Sequence, residues 1–192
     1  MDGFYEYNGK VTEGYLGKPE DFNGVIFLLK EPNNKTQAEE FWFKKMLKMP
    51  EEYEKETKIS KSIFTRFKNR FNEMLDFIGK GESLEDAVFC NVNPVKGDAK
   101  ETDKVEEALK QNKPEEMLDF FCTLKDGITI FTCKNIYHHL LESDKIQIKT
   151  KKSGSGLRYK NKTLGCFEGE VNNTKVTVYE IFHPSRSSKI EL

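Results

Sequence analysis

The chain has no apolar stretch of the length a bilayer crossing needs, and its N-terminus, Met1-Asp-Gly-Phe-Tyr5, lacks the basic-then-apolar order of a secretion signal. A soluble, intracellular (cytoplasmic) protein that does not engage a membrane is therefore expected. No Cys-x-x-Cys pair occurs among the four cysteines, Cys90, Cys122, Cys133 and Cys166, so their spacing disfavours a zinc or iron–sulfur centre. Three of them lie in or beside apolar stretches, and buried free thiols are the expected state. No metal and no cofactor are expected. A Gly-rich phosphate loop is also missing, which weighs against a nucleotide-handling α/β protein. Internal repeats and low-complexity tracts are absent.

What is there fits one domain over residues 1–192, long enough for a substantial core. Hydrophobic residues make up only 36%, but fifteen phenylalanines supply much of the core volume. A net charge of −1 argues against a protein coated in DNA-binding charge. The charge is unevenly spread, however. From Lys145 to Lys162 run seven basic residues (Lys145, Lys149, Lys151, Lys152, Arg158, Lys160, Lys162) and no acid, so removing those seven charges from −1 leaves the remainder at −8. One basic strip on an acidic body suits contact with a polyanion; a solvated loop fits the strip equally well.

Periodicity orders the elements. Residues 1–24 read as an irregular lead-in with room for one short helix. The continuous apolar run at 25–29 suits a strand buried on both faces and stops at Lys30-Glu31-Pro32-Asn33-Asn34. Thr36, with Glu39 three residues on, starts a helix that ends near Pro50. A second helix, from Ser60 or Ser62 to about Ile78, carries Phe64, Phe67, Phe71, Met74 and Leu75 on one stripe, closed by Gly79. Strands at 86–92 and 127–132 follow, with helices near 103–111, 114–124 and 135–143 between and after them. Segments 164–170 and 175–182 form a hairpin about Asn172-Asn173. The alternation predicts an α/β three-layer sandwich: a central, mostly parallel four-stranded sheet with helices on both faces.

The final strand delivers Phe182-His183-Pro184-Ser185. A proline past the strand end forces the chain out of the sheet, which holds His183 at the carboxyl end of a strand, where α/β sheets keep their chemistry. Right-handed crossovers bring residues 30–34, 91–97 and 133–135 to the same rim. Three loops thus contribute the Glu31 carboxylate, the Asn91 amide and the His183 ring. A carboxylate to orient water, an amide to read a base edge and a histidine to steady a departing base anion suit cleavage of an N-glycosidic bond.

In these motifs the chain resembles the uracil-DNA glycosylase superfamily. Leu29-Lys30-Glu31-Pro32-Asn33 stands where that family has Gly-Gln-Asp-Pro-Tyr, Phe89-Cys90-Asn91-Val92 stands at its base-reading asparagine, and His183-Pro184-Ser185 matches its last motif; the order covers roughly residues 24–188. The resemblance implies that Glu31 activates water and that His183 stabilises charge on the uracil O2. It further implies that Asn91 reads the base, with Asn93 the alternative, and that Asn33 and Ser185 line the substrate site. An aromatic of Phe41-Trp42-Phe43, Trp42 above all, would stack on a flipped base. Lys151, Lys152, Arg158, Lys160 and Arg186 would contact phosphates.

Four departures stand out. Leu29 replaces a glycine, Glu31 an aspartate, Asn33 the tyrosine that excludes the thymine methyl, and Ser187 lies where some members carry an apolar wedge. Without a wedge to offset unstacking, single-stranded DNA is the expected substrate. The expectation is a monomeric hydrolase acting on uracil or a related deaminated base in DNA. A catalytically inactive member of the same fold, binding nucleic acid or a protein partner, is the alternative.

Overall fold

A computed structural model describes residues 6–7, 10–11, 14–15, 19–29, 61–81, 83–92, 102–152, 156–159 and 162–182. In chain order the strands are β1 (Glu6–Tyr7), β2 (Lys10–Val11), β3 (Gly14–Tyr15), β4 (Val25–Leu29), β5 (Val88–Asn91) and β6 (Ile128–Cys133). Then come β7 (Gln147–Lys151), β8 (Arg158–Tyr159), β9 (Lys162–Thr163), β10 (Cys166–Val171) and β11 (Thr174–Ile181). The helices are α1 (Lys61–Phe77), α2 (Thr102–Asn112), α3 (Leu118–Leu124, entered through a 3₁₀ turn at Pro114–Met117) and α4 (Lys134–Glu142). The helix expected between Thr36 and Pro50 lies outside the described residues.

Among the described residues seven strands form the main sheet, in the order β3-β5-β4-β6-β11-β10-β7. β5, β4, β6 and β11 are mutually parallel, while β3, β10 and β7 add antiparallel edges. The expectation of a four-stranded sheet is thereby corrected to a larger, mixed one. Its four strands are the parallel centre. Of the additions β10 is the expected first arm of the hairpin, while the other two went unread for a physical reason: β7, Gln-Ile-Lys-Thr-Lys, is an exposed edge with hardly any apolar side chain, and β3 is two residues long.

Alternation along the buried strands sends side chains to two cores. Ile26, Leu28, Val88, Cys90, Ile130 and Val178 meet α2, α3 and α4 on one face. Val25, Phe27, Leu29, Phe89 and Phe131 meet Phe71, Met74 and Leu75 of α1 on the other. Helices therefore cover both faces.

Local chemistry fixes the junctions. Asn23 Oδ1 accepts the Val25 N–H (3.0 Å) just before β4. Gly24 has φ +87°, and a Cβ there would sit 2.8 Å from the Gly127 carbonyl oxygen, so only glycine lets β4 start beside β6. α1 ends in a Schellman motif: Lys80 N–H donates to Leu75 O (2.9 Å) and Gly79 N–H to Asp76 O (3.0 Å). The β10–β11 hairpin turns on Asn172 (φ 51°) and Asn173 (φ 67°), the left-handed pair a two-residue type I′ turn demands.

Candidate functional site

The parallel strands end level with one another. Leu29 pairs with Asn91, Leu28 with Thr132, and Cys133 with Ile181, so the carboxyl ends of β5, β4, β6 and β11 form one rim. Val92 N–H donates to Leu29 O (2.8 Å) and carries the β4–β5 ladder one step past the strands.

Of the expected site residues, Asn91 is described and sits in this rim, 2% exposed on the face of Phe89. Glu31, Asn33, Trp42, His183, Ser185 and Arg186 lie outside the described residues. The chain reaches two of those segments directly from the rim, because Leu29 precedes Lys30-Glu31 by one residue and Ile181 precedes His183 by two.

Among the described residues three polar or charged side chains are buried: Arg70, Asn91 and Thr132. Arg70 belongs to α1 and pairs with Glu73 (2.6 Å). The other two stand at the carboxyl ends of β5 and β6, the parallel strands on either side of β4, and on opposite faces of the sheet. Thr132 Oγ1 donates to Leu28 O (2.7 Å), which ties β6 to β4 through a side chain as well as the ladder. The carboxyl ends of parallel strands, where both stand, are where α/β sheets hold their sites.

On the α4 face of the rim Glu180 stands opposite Thr132. Its Oε2 accepts the Gly165 N–H (3.0 Å) and its own N–H donates to Gly165 O (2.9 Å). Tyr137, 6% exposed, packs so tightly on Gly165 that a Cβ there would approach its ring and hydroxyl to 2.7 Å. Burial, and next the neighbouring Cys166 and Glu180, push the Tyr137 phenol above its ordinary range. It is thus a neutral hydrogen-bonding group at neutral pH. Thr132, Tyr137 and Glu180 were not among the expected site residues. A single polar residue in a strand reads as a solvent-facing position, and only the register shows otherwise.

The basic strip is ordered over much of its length rather than a simple loop. Lys149 and Lys151 lie on β7, where Lys151 is exposed. Lys152, half-buried, donates to Glu168 (2.8 Å), Lys149 pairs with Glu170 (3.2 Å), and Lys145 pairs with Asp119. Lys175 also reaches Glu168 (3.0 Å). Arg158 is exposed on β8; Lys160 lies outside the described residues.

Cys90, Cys133 and Cys166 are buried thiols outside any disulfide, and Cys122 is a half-buried one, as the sequence led us to expect for most of them. Burial pushes the Cys166 thiol up to about 11 and the Tyr179 phenol beside it up to about 12. Among the described residues no three His, Cys, Asp or Glu side chains converge as a metal site, and no helix is long and apolar enough to cross a membrane. Compared with family models, with curated proteins and with solved structures, the chain matches none.

Proposed function

We propose that the protein is a single-domain DNA base glycosylase of the uracil-DNA glycosylase type, which hydrolyses the N-glycosidic bond of uracil or a related deaminated base. One observation carries this reading: the strands that lead to Glu31, Asn91 and His183 end level at one rim, and Asn91 is buried there. Those are the three residues whose chemistry suits the reaction, and the order of their motifs resembles that family's.

In the proposed reaction the bond from the sugar C1′ to the base nitrogen breaks and its electron pair leaves with the base. Positive charge develops on the sugar and negative charge on the base. His183 donates a hydrogen bond to the base oxygen that gains charge. Asn91 offers an acceptor and a donor to the base edge. Glu31 orients a water and takes its proton as the oxygen bonds to C1′. DNA is the partner, single strands are preferred, and the protein acts as a monomer without a cofactor.

Incubation with uracil-containing single- and double-stranded oligonucleotides, followed by cleavage at abasic sites, tests this directly. Wild-type protein should excise uracil, faster from single strands. Glu31→Gln and His183→Ala should each slow single-turnover excision by roughly a hundredfold or more while changing affinity far less, because both groups act in the transition state. Intact substrate after prolonged incubation, with binding retained, would overturn the enzyme reading and leave a nucleic-acid binder of the same architecture.

A further inference from the structure

β10 and β11 separate at one rung, and a side chain takes the place of a backbone group there. Their ladder runs from Val171 opposite Thr174 to Cys166 opposite Tyr179, which sets Gly165 opposite Glu180 as the next pair. A hydrogen-bonded antiparallel pair exchanges both of its N–H···O=C bonds. Here one of the two is regular: Glu180 N–H donates to Gly165 O (2.9 Å). In the other, Gly165 N–H donates to Glu180 Oε2 (3.0 Å). The carboxylate stands in for the carbonyl of its own residue, so the rung opens without stranding an N–H.

Beyond this rung Ile181 still pairs with Cys133 of β6, but among the described residues its β10 side has no further rung. The chain then passes to Phe182 and, one residue later, to His183. Glu180 is therefore the last hydrogen-bonded point on the outer side of the strand that leads to His183.

What Glu180 holds is a firm anchor. Tyr137 of α4 occupies the space that a Cβ on Gly165 would need, and the neighbours of Gly165, Leu164 and Cys166, are both buried. Leu164 shares a core cluster with Ile181, and Lys162 Nζ lies 5.6 Å from the ring centroid of Phe182. The 162–166 segment thus follows β11 through its exit from the sheet. An alanine at position 180 would remove the side-chain acceptor and let the regular rung form. Closing that rung draws the end of β11 toward Gly165 and turns its exit.

We infer that Glu180 is a positioning residue for His183: by holding the last β10–β11 rung open, its carboxylate sets the direction in which β11 leaves the sheet. The role requires an acceptor at that reach and not a negative charge. The inference rests on the reading above that His183 carries the chemistry.

Glu180→Ala, Glu180→Asp and Glu180→Gln test this through two readouts. Glutamine keeps an oxygen at the same reach, whereas aspartate keeps the charge on a side chain one methylene shorter. In single-turnover excision of uracil from a single-stranded oligonucleotide, the alanine and aspartate variants should lose about ten- to a hundredfold in maximal rate, the scale on which misplacing a reacting group acts. Their half-saturating concentration should hardly move, and Glu180→Gln should stay close to wild type in both. The second readout needs no turnover. With His138 and His139 replaced by glutamine, His183 is the one histidine left, and the resonances of its ring report its surroundings. They should shift in Glu180→Ala and return to their original positions in Glu180→Gln. Melting curves establish that each variant is folded, and Glu180→Asp carries both readouts if the alanine variant is not. Unmoved His183 resonances, or undiminished excision in the folded variants, would overturn the inference. So would a glutamine variant as slow as alanine, since Glu180 would then act by its charge. Wild-type protein that leaves uracil in place while the resonances behave as stated would sink the glycosylase and leave the positioning role intact.

Discussion

Asn91 stands opposite Leu29 in the last paired rung of the β4–β5 ladder, so a fully buried amide closes a column that is otherwise apolar. A leucine there would carry no polar group to satisfy, and in the proposed reaction the amide serves to read the base edge. Replacing Asn91 with leucine should leave the melting temperature within a few degrees of wild type and abolish measurable uracil excision. Thermal melts and the oligonucleotide assay on the same preparation check both halves. A large loss of stability with excision retained per folded molecule would place Asn91 in the scaffold alone.

Phe27 is the hub of the α1-side core. Its ring lies 4.6 Å from that of Phe71, 4.9 Å from Phe89 and 5.4 Å from Phe131. Phe27→Ala leaves all three facing a void on the central strand pair and should cost about 3–5 kcal/mol. Chemical denaturation should show the midpoint falling steeply with little change in slope. A cost under about 1 kcal/mol would mean that the aromatic cluster collapses to fill the space.

Gly165 and Tyr137 are coupled by contact. Gly165→Ala should destabilise by about 1–3 kcal/mol, because the new methyl meets the tyrosine ring and the backbone is held at both its N–H and its carbonyl by Glu180. Adding Tyr137→Leu should recover part of that loss, so the double variant should be less destabilised than the two single effects added together. Strict additivity would refute the contact as the cause.

Glu168 links acid stability to the β7 edge. Hydrogen bonds from Lys152 and then Lys175 hold its carboxyl below the usual 4.5, and the bond to Glu168 holds the Lys152 ammonium above its usual 10.5. A carboxyl depressed on folding contributes stability that is complete above its unfolded value and vanishes as pH falls through its folded one. A raised ammonium contributes stability that is complete below its unfolded value and vanishes as pH rises through its folded one. Glu168→Gln should therefore lower the melting temperature by a few degrees at most at neutral pH, since the half-buried pair is still reached by solvent. The gap to wild type should close both below 4.5 and in strong alkali. A gap that persists at pH values below the folded carboxyl's titration would show that the glutamate acts through packing.

The thiols give a fourth check on the core. Burial raises the Cys166 thiol to about 11, and Cys90 and Cys133 are buried with it. At pH 8 a soluble disulfide reagent should react with native protein at Cys122 well before the other three, and with all four in denaturant. Rapid reaction of all four in the native state would contradict the burial.

Much of the central sheet was legible because its strands announce themselves. Val25-Ile-Phe-Leu-Leu29 has nothing polar to place it elsewhere, and Asn172-Asn173 between two alternating runs admits few structures but a tight hairpin. The edges were not. Gln147–Lys151 is half solvent-facing and charged, so its pattern carries no apolar period, and β8 and β9 are too short to have one. The site divides similarly. The place of Asn91 at the rim was legible because it ends an apolar run, whereas those of Thr132 and Glu180 look like ordinary alternation until register aligns them. The pairing of Lys149 and Lys152 was hidden because their partners, Glu170 and Glu168, arrive from another strand.

The order of strands carries a consequence for how the chain assembles. Residues 14–91 supply β3, β5 and β4, residues 128–181 supply β6, β11, β10 and β7, and within the sheet the two sets join through the β4–β6 ladder. The Thr132 hydroxyl and the Thr129 N–H, bonded to Leu28 O and Gly24 O, fasten the same seam. Each set can complete its own ladders before meeting the other, and the two halves then share this ladder and the two cores on either side of it. A polypeptide severed anywhere in 93–101 is then expected to reconstitute from its two pieces when they are co-expressed, with Thr132→Val weakening the reunion more than it weakens the intact chain.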